Sequence, residues 1–166
     1  RGYSNLAPEN TISSFDLAIS NGFKIFELDV QLTKDNVPII FHDYDLNRIC
    51  KLDLNIKNLE YKYLSKLDAG SWFDKKFSDQ KIPTFEDILK KYIHKVHLQI
   101  ELKSHEKDLA DIVINKLKKF NWYNFAGKPY EVPGYSVTSF DFNNLVNVRK
   151  LSKSIRVGWL LSIDRE

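Results

Sequence analysis

The chain has 166 residues, 43% of them hydrophobic and 28% charged, which suits one globular domain with a sizeable core. Its 25 basic and 22 acidic side chains leave a net charge of +3, and the lysines are scattered rather than gathered in a block, so a nucleic-acid partner is not indicated. No apolar run approaches the roughly 20 residues of a membrane-spanning helix, and one cysteine, Cys50, excludes an intramolecular disulfide framework.

The sequence opens on Arg1-Gly2-Tyr3-Ser4, where the glycine allows close backbone approach to an anion and the arginine can grip one through paired hydrogen bonds. From Pro8-Glu9-Asn10-Thr11 the periodicity becomes helical: Ile12, Phe15, Ala18 and Ile19 share a face, and Gly22 is placed to end the helix. Phe23 to Val30 follows as a strand. Its alternation puts Ile25, Glu27 and Asp29 on one face and Phe26, Leu28 and Val30 on the other. The two acidic residues, with Cα atoms roughly 6.5 Å apart, can converge on one hard cation. A strand with one wet face would show the same alternation.

After Val30 the chain passes Gln31-Leu32-Thr33, turns at Lys34-Asp35-Asn36 and returns through Val37 to Asp43. The connection is too short for a helical crossover, so a hairpin about Asp35 is expected, with position 42 near position 29. That register places His42 beside Asp29 as a candidate acid or base. Tyr44 to Lys81 is irregular, with a helical patch at Leu59, Tyr63, Leu64 and Leu67, and is expected to be a small inserted subdomain packed by Trp72 and Phe73. Pro83-Thr84 then opens a helix with Thr84 as cap, Asp87 three residues on, and Phe85, Ile88, Leu89 and Tyr92 as its apolar face.

Val96 to Lys103 alternates strictly, with His97, Gln99, Glu101 and Lys103 opposite Val96, Leu98, Ile100 and Leu102. Glu101 could supply a third oxygen ligand and Lys103 a positive point charge for an anion; a solvent-facing antiparallel strand competes with this interpretation. A helix carrying Leu109, Ile112, Val113, Leu117 and Phe120 ends among Lys116, Lys118 and Lys119. An aromatic loop from Asn121 to Gly134, broken by Pro129 and Pro133, leads to a strand over Tyr135 to Phe140, a helix over Phe142 to Leu151 and a strand over Arg156 to Leu161. His97 shares the face of Glu101 but lies roughly 13 Å back along the strand. His105 is expected at the surface, and His94 carries no functional signal. Alternation of strand and helix predicts an α/β architecture with a mainly parallel sheet, and polar inward faces suit a barrel with its site at the strand ends.

Arg1-Gly2, Pro8-Glu9-Asn10-Thr11, Glu27-Leu28-Asp29-Val30 with Thr33 and Asp35, His42-Asp43, Asp68-Ala69-Gly70, Ile82-Pro83-Thr84 and Glu101-Leu102-Lys103 together resemble the glycerophosphodiester phosphodiesterase family, and the resemblance continues to Gly158-Trp159-Leu160-Leu161. It implies a (β/α)8 TIM barrel of the phospholipase-C-like type and metal-dependent hydrolysis of glycerophosphodiesters to sn-glycerol 3-phosphate and an alcohol. It further implies Glu27, Asp29 and Glu101 as ligands of Mg²⁺ or Ca²⁺, Arg1 and Lys103 as holders of phosphate oxygens, and His42 as one of two acid/base histidines. The stretch from 44 to about 81 matches the family's insertion on the glycerol side of the substrate. The family's His-Arg-Gly motif starts one residue before Arg1. The first acid/base histidine, its strand and two later strands are therefore missing from this sequence, which holds about five of eight strands and is either a segment of a longer protein or an incomplete relic.

A lipid-directed phosphodiesterase of the sphingomyelinase D type and a non-catalytic relic of the family are the alternatives. Against a relic stand the intact charges, because clustered carboxylates repel one another without a metal. A cytoplasmic location is expected, and the oligomeric state is open.

Overall fold

The structure is a computed structural model that describes residues 1–126 and 130–162; Pro129, expected as a loop breaker, lies outside the described residues. The first helix, α1 (Ile12–Ser20), starts at Thr11, whose side chain accepts from the Ser14 backbone while the Ser14 hydroxyl accepts from the Thr11 N–H. At its other end Gly22 takes φ +84°, Gly22 N–H donates to Ile19 O and Phe23 N–H donates to Ala18 O. This pair of bonds is a Schellman motif, so Phe23 closes the helix instead of opening the strand. Strand β1 accordingly runs Ile25–Leu32, two residues later than expected.

Among the described residues five strands form one sheet in the order β2-β1-β3-β4-β5. β2 (Pro38–Ile40) pairs antiparallel with β1, whereas β3 (His97–Leu102), β4 (Gly134–Ser139) and β5 (Val157–Trp159) continue the sheet in parallel. Helices α4 (Phe85–Tyr92), α5 (Leu109–Lys119) and α6 (Phe142–Leu151) precede β3, β4 and β5. This is a portion of a (β/α)8 barrel. The hairpin strand does not count toward the eight, which leaves four barrel strands where the sequence suggests five. The solvent-facing antiparallel alternative for β3 fails, because β3 lies between β1 and β4 and is parallel to both.

The hairpin register pairs Val30 with Ile40 and Leu32 with Pro38, and Phe41 N–H donates to Asp29 O. Phe41, not His42, therefore stands opposite Asp29, one residue from the expected register. Burial explains the difference. Ile40 packs into the core beneath the sheet, while Ile39 and Phe41 pack into a second core, and a slip of one residue would exchange those faces. On the outer side of β2, Ile40 N–H donates to Pro83 O at 2.8 Å and Ile39 bridges to Thr84.

The main core joins Phe26, Leu28 and Val30 of β1 to Leu98, Ile100 and Leu102 of β3 and to Tyr135 and Val137 of β4, covered by Phe15, Phe85, Tyr92 and Val148 among others. The Trp122 indole N–H donates to Leu89 O within it. Residues 44–81 contain α2 (Asn47–Cys50), α3 (Tyr61–Leu64) and two single turns of 3₁₀ helix, and their Leu46, Ile49, Ile56, Leu64 and Ala69 make the second core with Ile39, Phe41 and Ile82. Trp72 packs against its margin. No helix of the described residues is long and apolar enough to cross a membrane.

Glu86 ties α4 to α5, accepting from Lys90 Nζ at 2.8 Å and from Lys116 Nζ at 2.9 Å. Hydrogen bonds from Lys90 and then Lys116 hold its carboxyl at about 2, against an ordinary 4.5. A depressed carboxyl stabilises the fold above its unfolded value and loses that contribution as pH falls through the folded one. Stability should therefore drop between pH 4.5 and about 2 less steeply in Glu86→Gln than in the parent. Chemical denaturation across this window checks it, and high salt should shrink the difference because the pair is partly exposed.

Candidate active site

Parallel pairing sets the site. Register places Asp29 beside Glu101 and Glu27 beside Gln99, so the polar faces of β1 and β3 are continuous. Glu27, Asp29 and Glu101 each offer one carboxylate oxygen, and these atoms lie within 4.8 Å of one another. Asp29 and Glu101 are buried and Glu27 is half-buried. Burial, followed by the charge of Asp29, lifts the Glu27 carboxyl above its ordinary range even though the Arg1 backbone nitrogen stands 3.1 Å from its Oε2.

Among the described residues Glu27 Oε1, Asp29 Oδ1 and Asn10 Oδ1 are buried oxygens without a hydrogen-bond partner, and Glu101 Oε1 meets the Lys103 ammonium at 3.2 Å as an ion pair without an aligned hydrogen bond. Buried polar atoms are rarely left so, and carboxylates gathered this closely ask for positive charge. The Asn10 side-chain amide donates to Asp29 Oδ2 at 2.8 Å and fixes that carboxylate. An all-oxygen set of this kind fits a hard divalent cation better than a soft one.

Basic groups surround the acidic cluster. Arg1 Nε is 3.0 Å from Asp29 Oδ2, and Arg1 Nη1 is 3.4 Å from Glu9 Oε1. Lys103, just past β3, places Nζ 3.2 Å from Glu101 Oε1, 4.0 Å from Asp29 Oδ1 and 3.0 Å from His42 Nε2. His42 thus meets the carboxylates through Lys103 rather than standing directly beside Asp29 as expected. Its Nδ1 lies 2.7 Å from Asp43 Oδ1. An ammonium can only donate, so Nε2 is the acceptor and Nδ1 carries the hydrogen given to Asp43.

Sequence reasoning singled out neither Gln31 nor Arg48. The Gln31 amide donates to Phe41 O at 2.7 Å and to Asp43 O at 2.9 Å, holding the turn that carries His42. Its signal was present, since Gln31 extends the odd-numbered polar face of Glu27 and Asp29. Arg48 pairs with Glu9 and Asp43, 39 and 5 residues away, and no local pattern announces that.

Other candidates stay apart. His97 is buried beside Glu131 O and Ser136 Oγ, and burial lowers its pKa. His105 is exposed, 2.9 Å from Asp141 Oδ2 and stacked on Tyr44. His94 packs edge-on to Phe125. Burial pushes the half-buried Cys50 thiol up to about 11, which leaves it a poor nucleophile.

The sequence profile of the glycerophosphoryl diester phosphodiesterase family matches residues 1–166. Bacillus subtilis YhdW is 47% identical over 110 residues, covering 66% of this chain and 45% of YhdW. A glycerophosphodiester phosphodiesterase of Caldanaerobacter subterraneus subsp. tengcongensis is 33% identical over 161 residues, covering 96% of this chain and 64% of its own length. Among solved structures, an Oleispira antarctica phosphodiesterase in complex with the product sn-glycerol-3-phosphate superposes with a TM-score of 0.84 at 33% identity, covering 98% of this chain and 64% of that one. The chain therefore spans between about half and two thirds of the length of these relatives. A match that runs from the first residue to the last, on a parallel sheet of the same architecture, places the chain in the glycerophosphoryl diester phosphodiesterase family.

Proposed function

We propose that the full-length protein hydrolyses glycerophosphodiesters to sn-glycerol 3-phosphate and an alcohol, with a divalent metal. The observation that carries this is the set of converging carboxylate oxygens on Glu27, Asp29 and Glu101, ringed by Arg1, Lys103 and His42. The Oleispira relative with sn-glycerol-3-phosphate supports the substrate class. Residues 1–166 form one domain of the enzyme in this proposal, with 44–81 as an insertion over the glycerol side.

Glu27, Asp29 and Glu101 would hold Mg²⁺ or Ca²⁺, and Asn10 keeps Asp29 turned toward it. The cation supplies positive charge against the negative charge that grows on the phosphoryl oxygens. Arg1 and Lys103 hold phosphate oxygens. The arriving anion competes with His42 Nε2 for the Lys103 ammonium and so frees the imidazole lone pair. His42, its Nδ1–H kept on Asp43, then takes a proton from the attacking hydroxyl or returns one to the leaving alkoxide. The attacking group is the substrate's own glycerol hydroxyl, which gives a cyclic phosphate that water opens. A second acid/base group is required for the other proton transfer.

Release of sn-glycerol 3-phosphate from glycerophosphocholine should stop in EDTA and return with Mg²⁺ or Ca²⁺. The same ion should raise the unfolding temperature of the parent but not of Glu101→Gln. A folded protein that turns over with neither ion would sink the proposal, and sphingomyelin would be the next substrate. His42→Ala should lower kcat by about 10²-fold to 10⁴-fold and keep the metal-induced rise in unfolding temperature. Loss of that rise would instead make His42 a ligand.

A further inference from the structure

We propose that Arg48 is a positioning residue that sets two groups of the site at once, His42 through Asp43 and Arg1 through Glu9; this rests on the roles given to His42 and Arg1 above. Arg48 lies on α2, in the 44–81 segment, and its ion pairs go to Glu9 and Asp43 rather than to the carboxylate cluster. Its guanidinium nevertheless grips two carboxylates. Nε is 2.7 Å from Asp43 Oδ2 and Nη2 is 3.0 Å from Asp43 Oδ1. Toward Glu9, Nη2 is 2.8 Å from Oε1 and Nη1 is 3.2 Å from Oε2.

Each carboxylate then passes its orientation inward. Asp43 Oδ1 accepts the His42 Nδ1–H at 2.7 Å, which selects the tautomer that leaves Nε2 as a base. Glu9 Oε1 accepts from Arg1 Nη1 at 3.4 Å, while Arg1 Nε meets Asp29. Burial acts to raise the Asp43 carboxyl, but hydrogen bonds from Arg48 and His42 outweigh it and keep the group ionised. Glu9 and Asp43 are both mostly buried, and the half-exposed Arg48 guanidinium between them offsets the repulsion of two carboxylates. The planar fork gives each carboxylate two hydrogen bonds in fixed geometry, four in all, whereas a lysine ammonium has three donors and no such fork.

The fork is itself held. Arg48 Cζ sits 5.3 Å from the centre of the Trp72 ring, and the Trp72 indole N–H donates to Ala69 O at 3.0 Å. Neighbouring Ile49 is buried in the second core. That core, built mostly from residues 44–81, therefore sets the orientation of His42, which lies just past β2.

The test compares the full-length parent with Arg48→Ala and Arg48→Lys. Arg48→Ala should lower kcat by about 10-fold to 10²-fold, the usual cost of a slightly misplaced catalytic group, and leave the metal-induced rise in unfolding temperature intact. Millimolar guanidinium should restore part of the loss in Arg48→Ala and none in His42→Ala. Arg48→Lys should stay impaired at an unchanged unfolding midpoint, because it keeps the charge and loses the fork.

¹⁵N NMR of the His42 ring supplies a readout independent of turnover. The parent should hold the Nδ1–H tautomer and Arg48→Ala should mix the two. Parent-like kcat, KM and ring spectrum in Arg48→Ala would overturn the proposal, as would full rescue by Arg48→Lys. If Arg48→Ala does not fold, Arg48→Lys decides by the same criteria. A parent without turnover would count against the function proposed above, while the ring spectra would still decide the role of Arg48.

Discussion

Three acidic side chains held together by aliphatic packing are the constraint on which the site depends. Leu28 and Val30 on β1, with Ile100 and Leu102 on β3, are buried under α4 and α5, and their register cannot shift without exposing them. Because side chains alternate along a strand, the same register forces Asp29 and Glu101 to face each other on the opposite surface. Hydrophobic burial thus holds like charges at a separation they would not choose. Arg1 and Lys103 offset part of that repulsion from the rim, yet they leave oxygens unsatisfied at its centre. Stability and chemistry are in opposition here, and the metal proposed above would resolve it.

β2 mediates between the sheet and the segment that follows it. Ile40 belongs to one core and Ile39 and Phe41 to the other, so three consecutive side chains fix the second core against the sheet. His42 comes next in the chain and inherits its position from that joint, with Gln31 pinning the carbonyls on either side of it. Asp43 and Arg48 extend the same chain of contacts into α2. A basic nitrogen at the site is therefore positioned from two directions, by the sheet through Gln31 and Lys103 and by the second core through Arg48.

Local chemistry was legible in the sequence. The alternation of β1 and β3 revealed which carboxylates share a face, and Thr84 with Asp87 marked the start of α4, because both signals act over a few residues. Phe23 misled because an apolar residue after a glycine can serve a helix end as readily as a strand, and only the bond to Ala18 O decides. The hairpin register missed by one, since it is set by two cores whose members are far apart in sequence. Arg48 went unnoticed for the same reason, its partner Glu9 lying 39 residues away. Spacing alone did not assign roles to these residues; those rest on the family resemblance.

The outer side of β2 bears on association between molecules. A sheet edge normally presents free N–H and C=O groups that another chain can extend. Here the Ile40 N–H is already given to Pro83 O, and Thr84 covers Ile39. Proline has no amide hydrogen with which to continue a ladder outward. A strand from a second molecule approaching this edge would find its template used up, so the residues that seat the start of α4 also guard this flank against edge-to-edge aggregation.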